Sequence, residues 1–181
     1  IVDYFGTIEN NAEPNVKLEI TEPAIEETRY ATEYDTNIQI PAYIFSYITP
    51  KSVDKDAYTL DYISSILTGG NSSRMYKRMV DKDKVALQVL AFNQANQDYG
   101  TYTMGALIKG EPDWDALKAT MDEEINRLQT ELISDKEYQK LLNQFETSYV
   151  QANSSVEGIA SSLATYYMLQ GDANRINNQL D

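Results

Sequence analysis

Apolar residues alternate or run together in four segments of the chain, and this pattern predicts four β-strands. The segments span residues 28–34, 42–49, 85–92 and 102–108. Ala42–Thr49 is rich in aromatic and β-branched residues and is apolar on both faces, which favours a central strand that is covered on at least one side. In the third segment, Val85, Leu87 and Val89 alternate and should share one face of the strand. The polar stretch 93–100 joins the last two strands as a hairpin.

Elsewhere apolar residues recur at steps of three and four, the spacing that places side chains on one face of a helix. The first such helix begins near Ser52 or Asp54 and ends at the Gly69-Gly70 pair. Its apolar stripe consists of Ala57, Leu60, Ile63 and Leu67. A shorter helix follows over residues 72–79.

The C-terminal part of the chain is predicted to be helical throughout. One helix has a stripe of Trp114, Leu117, Met121, Ile125, Leu128 and Leu132. Ser134 and Glu137 form a capping box that begins a second helix. Its inward-facing residues are predicted to be Tyr138, Leu141, Phe145 and Tyr149. Another capping box, Ser154 with Glu157, begins a third helix that ends at Gly171. Its stripe consists of Ile159, Leu163 and Tyr167.

Strands followed by a helical run predict an α+β fold, a two-layer domain with a mostly antiparallel β-sheet and helices packed on one face. This domain is expected to span residues 24–171. Residues 1–23 look like the tail of a preceding helix, closed by Gly6, and a Pro-containing linker. Residues 172–181 look like a truncated C-terminal tail. These features predict that the chain is a piece of a longer protein.

The formal net charge of −13 and the absence of His and Cys narrow the chemistry. An acidic surface repels phosphate backbones, so we expect no nucleic-acid partner, and the charge mainly supports solubility. No apolar run has the length of a bilayer span, so no membrane partner is expected. Without Cys there is no thiol nucleophile or disulfide framework, and without His and Cys there is no ordinary zinc site. We therefore expect no metal ligands and no cofactor in this chain.

The segment Gly70-Asn71-Ser72-Ser73-Arg74 approaches the turn that presents a catalytic serine in some hydrolases. Its second Gly is missing, however, and the chain has no His to act as the base. Paired acids elsewhere lack the spacing of a calcium loop and are interpreted as solvated surface. The chemistry alone thus predicts a soluble α+β domain with no catalytic residues of its own.

Residues 66–80 resemble a signature of the pitrilysin/insulinase-type zinc metallopeptidases, the inverzincins with a His-x-x-Glu-His motif. In that family a helix ends in a Gly-rich turn that is followed by Ser-Ser-Arg-Leu-Tyr. The matching residues, expected to be structural, are Gly69, Gly70, Ser72, Ser73, Arg74 and Tyr76. Weaker likenesses occur in the family's order over nearly the whole chain, at residues 4–6, 44–50, 155–160 and 171–172.

The resemblance implies a domain of the kind found in the mitochondrial processing peptidase. Family members are built from pairs of α+β domains, and two halves enclose a chamber that admits peptides or unfolded polypeptides. The zinc ligands and the Glu that activates water lie in the first domain of the active half. Zinc is therefore expected in a catalytic domain that this chain lacks.

In many members the half opposite the zinc supplies an Arg and, seven residues later, a Tyr. The corresponding positions here are Val80 and Leu87, which offer neither a charge nor a hydroxyl. The resemblance therefore implies the second, non-zinc-binding domain of the zinc-bearing half, with residues 172–181 leading to the next half. Its partners would be the preceding catalytic domain, the opposing half of the same protein or a partner subunit, and a peptide substrate. The family's habits suggest the bacterial periplasm or envelope.

Arg74 and Arg78 allow two interpretations. They could face the chamber and bind the carbonyl or acidic groups of a substrate, or pair with nearby acids on a helix surface, which is the commoner arrangement. The leading hypothesis for the chain is a non-catalytic domain that forms part of the chamber wall of a zinc-dependent metalloendopeptidase. The alternatives are an inactive family member that serves as a structural or assembly subunit, and an unrelated acidic binding module.

Overall fold

The computed structural model of the chain describes residues 2–9 and 23–179. Contacts divide the chain into two units, Ile1–Asp35 and Thr36–Asp181. The linker predicted within residues 1–23 falls largely outside the described residues. The domain boundaries predicted from the sequence stay predictions.

The first unit contains a short helix, α1, which spans Val2–Phe5. The N–H of Gly6 donates to the carbonyl of Val2 over 2.8 Å, so the predicted helix end is confirmed. The strand predicted over residues 28–34 is wrong, because none of the residues 23–35 belongs to a strand. Tyr30 and Tyr34 are exposed, so the alternating residues have no apolar layer to cover. Alternation specifies a strand only where one face can be buried.

The second unit is built on an antiparallel sheet of three strands. They are β1 over Ala42–Thr49, β2 over Ala86–Ala95 and β3 over Gly100–Ile108. Their order is β1-β3-β2, so β1 is an edge strand and its predicted central position is wrong. Ile44 and Tyr47, on opposite faces of β1, are about half exposed, so apolar residues on both faces do not imply burial here. The hairpin between β2 and β3 is confirmed, with its loop reduced to residues 96–99.

A β-bulge interrupts β2 beside Leu87, because the pairing with β3 slips by one residue between Ala86 and Gln88. The extra residue shifts the alternation of side chains between the two faces. Ala86 and Val89 are therefore both buried, whereas Leu87 is exposed. The prediction that Val85, Leu87 and Val89 share one face is wrong for this reason.

The helices of the second unit follow the predicted order. They are α2 over Lys55–Thr68, a π-helix over Tyr76–Lys82, α3 over Trp114–Thr130, α4 over Asp135–Ala152, α5 over Val156–Gln170 and α6 over Arg175–Asn178. The helix predicted over residues 72–79 is thus longer and mostly π-helical. The N–H of Asp83 donates to the carbonyl of Arg78, five residues earlier, over 2.9 Å. Within residues 2–9 and 23–179, no helix is both long and apolar enough to cross a membrane.

The core lies between one face of the sheet and the helices α2 and α3 with the π-helix. Its largest fully buried side chains are Leu67, Met75, Met79, Met104 and Met121. The predicted stripe of α2 is confirmed, because Ala57 is also buried and Leu60 and Ile63 pack against this core. On the other face of the sheet, Ile44 and Phe92 are about half exposed. Helices therefore cover one face, and the predicted two-layer α+β fold is confirmed.

The beginnings of α4 and α5 illustrate how local capping signals perform. The capping box of Ser134 and Glu137 is present and begins α4 as predicted. The cap of α5 is Ser155, whose hydroxyl accepts from the N–H of Gly158. The capping box predicted one residue earlier, at Ser154, is wrong, since the later start places Gly158 at the third helical position.

Burial decreases along the helical run. Leu117 and Met121 of α3 and Leu141 of α4 are buried, whereas α5 has no buried residue. Several residues of the predicted apolar faces are exposed: Leu132, Tyr138, Ile159, Leu163 and Tyr167. A helical stripe is buried only where another layer receives it. Gly171 ends α5 in the left-handed conformation with φ of 74°, as predicted.

Candidate functional site

The turn after α2 requires two glycines, each for a different reason. The N–H of Gly69 donates to the carbonyl of Ser65 over 2.9 Å, and a Cβ atom at Gly69 would lie 2.3 Å from that oxygen. Gly70 has a φ of 84°, which other residues rarely adopt. The N–H of Ser73 then donates to the carbonyl of Gly70 over 3.0 Å and closes the turn. The predicted helix end at Gly69-Gly70 is confirmed. We call residues 69–74 the signature turn.

Helix α4 holds the signature turn through two side chains. The Nζ of Lys140 donates to the carbonyl of Gly69 over 2.9 Å and to the hydroxyl of Ser72 over 2.8 Å. Arg74 donates to Glu137 from Nε over 2.9 Å and from Nη2 over 3.2 Å. Such a bidentate pair is the strong form of an ion pair. The Arg74 side chain is only 10% exposed, so this pair connects the turn to α4 inside the domain.

Glu137 joins the cap of α4 to the signature turn. Its carboxylate pairs with Arg74 and also accepts from the N–H and the hydroxyl of Ser134. The hydrogen bond from Arg74, supported by those from Ser134 and opposed by burial, lowers the pKa of Glu137 from 4.5 to about 2. The carboxylate is therefore charged at neutral pH and serves two elements at once.

A pocket of about 350 Å³ lies between the signature turn and α4. The side chains that decide its chemistry are Ser73, Arg74, Lys77, Lys136, Glu137 and Lys140. A second pocket of about 370 Å³ shares Arg74, Lys77 and Glu137 with the first and also involves Arg78 and Lys82. Basic side chains are thus concentrated on this surface of a chain whose net charge is −13. We call the pocket between the signature turn and α4 the turn pocket.

Two residues that line the turn pocket have polar atoms without a hydrogen-bond partner among the described residues. These atoms are the hydroxyl oxygen of Ser73 and the Nη1 nitrogen of Arg74, and both are buried. Arg74 uses Nε and Nη2 on Glu137, which leaves Nη1 as an unused donor of the planar guanidinium. Buried polar atoms without a partner are exceptions in native proteins, and each one requires an explanation.

Arg78 lies on the π-helix and is held by two acids. Its Nε lies 2.6 Å from Oδ2 of Asp83, and its Nη2 lies 3.3 Å from Oε2 of Glu123. The hydrogen bond with Asp83 is the main cause that raises the pKa of Arg78. Both Arg74 and Arg78 therefore pair with acids of their own domain. Their role in substrate binding stays a prediction.

Spacing in the sequence does not predict the contact between α4 and the signature turn. The sequence pattern identifies Glu137 only as part of a helix cap and does not distinguish Lys140 from other surface lysines. A usable signal is present, because Glu137 and Lys140 lie three residues apart and precede the buried Leu141 by four positions and by one. Polar residues beside the buried position of a helix are placed to contact a neighbouring element.

Positions 80 and 87, which the resemblance matches to an Arg and a Tyr, are occupied by Val80 and Leu87. Val80 is partly buried and packs against the core, and Leu87 lies at the bulge of β2. Tyr76, the last residue of the motif, also packs against the core. Within the part of the chain that the structure describes, no group of three or more His, Cys, Asp or Glu residues could hold a metal ion.

Comparison with known families decides the relationship. Residues 1–145 match the family described as the peptidase M16 inactive domain. The chain belongs to the M16 peptidase family. The resemblance found in residues 66–80 is therefore confirmed, and this M16 domain is a non-catalytic domain of a protease family.

Individual relatives agree with this assignment. The M16 domain is 24% identical over 172 residues to the zinc protease PqqE of Helicobacter pylori, covering 93% of this chain and 38% of that protein. A crystal structure of a protease from Helicobacter pylori matches with a TM-score of 0.70 and 22% identity, covering 81% of this chain and 35% of that one. The chain thus spans little more than a third of either protein.

A solved inactive domain provides a comparison of similar size. The inactive peptidase domain of a candidate zinc protease from Bordetella parapertussis matches with a TM-score of 0.67 and 24% identity. The match covers 77% of this chain and 74% of the Bordetella chain. At these identities the structures establish a shared fold.

Proposed function

We propose that this M16 domain forms part of the substrate-chamber wall of a zinc-dependent metalloendopeptidase that acts on peptides or unfolded polypeptides. The observation that carries the proposal is the match of residues 1–145 to the inactive domain, in a chain without His or Cys. The zinc ligands and the water-activating Glu belong to a preceding catalytic domain. The M16 domain contributes part of the wall of the chamber, and the peptide bond is hydrolysed in the catalytic domain of the parent protein.

Two features of the fold support a role as a wall. The signature turn is fixed to α4 by the side chains of Lys140 and Glu137, which makes the turn part of a rigid layer. The face of the sheet away from the helices carries Ile44, Ile48 and Phe92, which are each about half exposed. Exposed apolar surface of this kind supports contact with another domain of the parent protein or with the opposing half.

Arg74 and Arg78 are proposed to differ in their access to a substrate. Arg78 is held by Asp83 and Glu123, so its guanidinium is occupied at both ends. Arg74, which lines the turn pocket, has one buried nitrogen without a partner among the described residues. A contact with substrate is therefore better supported for Arg74 than for Arg78.

The test compares the full-length parent protein with the 181-residue chain. We expect the parent protein to hydrolyse unfolded casein, to lose this activity with a chelator and to regain it with added zinc. The 181-residue chain alone should neither retain stoichiometric zinc in metal analysis nor cleave casein.

Two outcomes would overturn the proposal. Stoichiometric zinc in the 181-residue chain, together with chelator-sensitive hydrolysis, would show that the domain is itself catalytic. A parent protein that lacks the His-x-x-Glu-His motif and does not hydrolyse casein would instead indicate a structural or assembly subunit.

A further inference from the structure

The turn pocket has the size and the wall of a binding site. Its volume of about 350 Å³ falls within the range of small-molecule pockets, which begins at about 300 Å³. Ile66 and Leu141 line it as buried apolar residues, and polar side chains of the signature turn and α4 complete the wall. A ligand with both an apolar part and a polar group would fit such a lining.

Two residues that line the pocket, Ser73 and Arg74, have buried donors without a partner in the described part of the chain, and these donors indicate which polar group is missing. Ser73 is 3% exposed, and its hydroxyl has no partner in the described part of the chain. Nη1 of Arg74 is a buried donor that also lacks a partner among these residues. A buried donor without an acceptor is costly, and an arginine nitrogen can only donate. The group that would satisfy both atoms is therefore an acceptor.

The charges around the pocket favour an acceptor that is negative. Four cationic side chains, Arg74, Lys77, Lys136 and Lys140, line the pocket with a single carboxylate, that of Glu137. Glu137 is already engaged by Arg74, and Lys140 is engaged by the signature turn. Lys77 and Lys136 have no side-chain partner within residues 2–9 and 23–179 and remain available to an anion. A local positive field in an acidic chain concentrates anions at one place.

We propose that the turn pocket binds a carboxylate carried by a polypeptide, with Ser73 and Nη1 of Arg74 as buried donors and Lys77 and Lys136 at the rim. This inference rests on the proposed function, because a chamber wall meets polypeptides. The carboxylate belongs to an acidic side chain or to the end of a chain, which present the same two oxygens. Ile66 and Leu141 receive the apolar atoms next to that carboxylate.

Three labelled peptides of one neutral sequence test the proposal by fluorescence anisotropy with the 181-residue chain. One ends in a free carboxylate, one ends in an amide, and one ends in an amide but contains a single Glu. We expect a carboxylate-bearing peptide to bind at least about tenfold more tightly than the neutral amide. The carboxylate accepts charge-assisted hydrogen bonds that the neutral peptide cannot form. Binding of the free acid alone identifies a chain terminus, and binding of the Glu peptide identifies an acidic side chain. Equal affinity for all three peptides would overturn the proposal.

Two variants test whether the peptide binds at the turn pocket. Ser73→Ala should weaken binding by about twofold to tenfold while leaving stability equal or slightly higher, because it removes a buried hydroxyl without a partner. The double variant Lys77→Gln/Lys136→Gln should weaken binding by about threefold to tenfold, and more strongly at low ionic strength. Lys109→Gln, an exposed lysine outside the pocket, is the matched control and should bind normally. Unchanged affinity in both pocket variants would overturn the assignment.

The two proposals fail in different ways. Peptide binding by the 181-residue chain does not depend on hydrolysis, so an inactive parent protein would overturn the proposed function and leave carboxylate binding intact. A parent protein that hydrolyses casein while the isolated chain ignores carboxylates would overturn the inference about the turn pocket alone.

Discussion

Helices α4 and α5 have similar lengths, 18 and 15 residues, and both were predicted to be amphipathic, but they differ in what they contact. Helix α4 buries Leu141 and directs Glu137 and Lys140 to the signature turn. Helix α5 buries no residue, and its Ile159 and Leu163 are 41% and 37% exposed. An apolar stripe indicates that a helix can pack against another element. The helix is stabilised mainly by the contacts that it actually makes in the folded domain.

The strongest test of this contrast is a matched pair of leucine truncations. Leu141→Ala should lower the free energy of unfolding by about 2–5 kcal/mol, because it leaves a cavity beside the core. Leu163→Ala should lower it by less than about 1 kcal/mol, because the side chain is already partly in water. Urea unfolding of both variants measures the difference. Equal losses would show that α5 is packed as firmly as α4.

A second pair of variants compares the acids in the first turns of the two helices. Glu137→Gln should cost about 1–3 kcal/mol, because it leaves the buried guanidinium of Arg74 without its charged partner. Glu157→Gln should cost less than about 1 kcal/mol, since Glu157 is exposed and contributes mainly through the helix dipole. The free energy of unfolding in urea is again the measurement. A loss for Glu157→Gln as large as that for Glu137→Gln would contradict the role assigned to the ion pair.

The sequence predicted features that depend on residues close together in the chain better than features that depend on distant residues. The capping box of Ser134 and the glycines of the signature turn depend on neighbouring residues, and both were predicted correctly. The pair of Arg74 and Glu137 joins residues 63 positions apart, and no local pattern indicates that pairing. The bulge at Leu87 could not be predicted for the same reason, because the partner strand determines where the register of pairing shifts.

The turn pocket could not be predicted from the sequence for a further reason. Spacing identified Ser73 and Arg74 as motif residues, but whether a polar atom lacks a partner is decided by the three-dimensional fold. The lysines of the pocket come from two elements, the π-helix and α4, which are far apart in the chain. Only the packing of these elements reveals that their charges meet.

The pH dependence of stability gives a sharper measure of the Arg74–Glu137 pair. The pKa of Glu137 is about 2 in the folded domain and 4.5 in the reference state, so the unfolded chain takes up the proton first as the pH falls. The stabilisation is complete above the unfolded value and is lost as the pH falls toward the folded value. The difference in free energy of unfolding between the wild type and Glu137→Gln should therefore be constant above about pH 6 and shrink below about pH 4. A difference that stays constant down to the acid limit would show that the charge of Glu137 contributes nothing.

The smallest expected effect separates the two α4 side chains that hold the signature turn. Lys140→Gln removes the donor to Gly69 and Ser72 and should cost about 0.5–1.5 kcal/mol, the usual net value of such hydrogen bonds. Lys136→Gln, an exposed lysine on the same helix, should cost less than about 0.5 kcal/mol. Amide hydrogen exchange shows where the effect lies, because Lys140→Gln should speed exchange in residues 69–74 and leave α5 unchanged. Faster exchange in α5 instead would mean that Lys140 supports the helical run as a whole and not the signature turn.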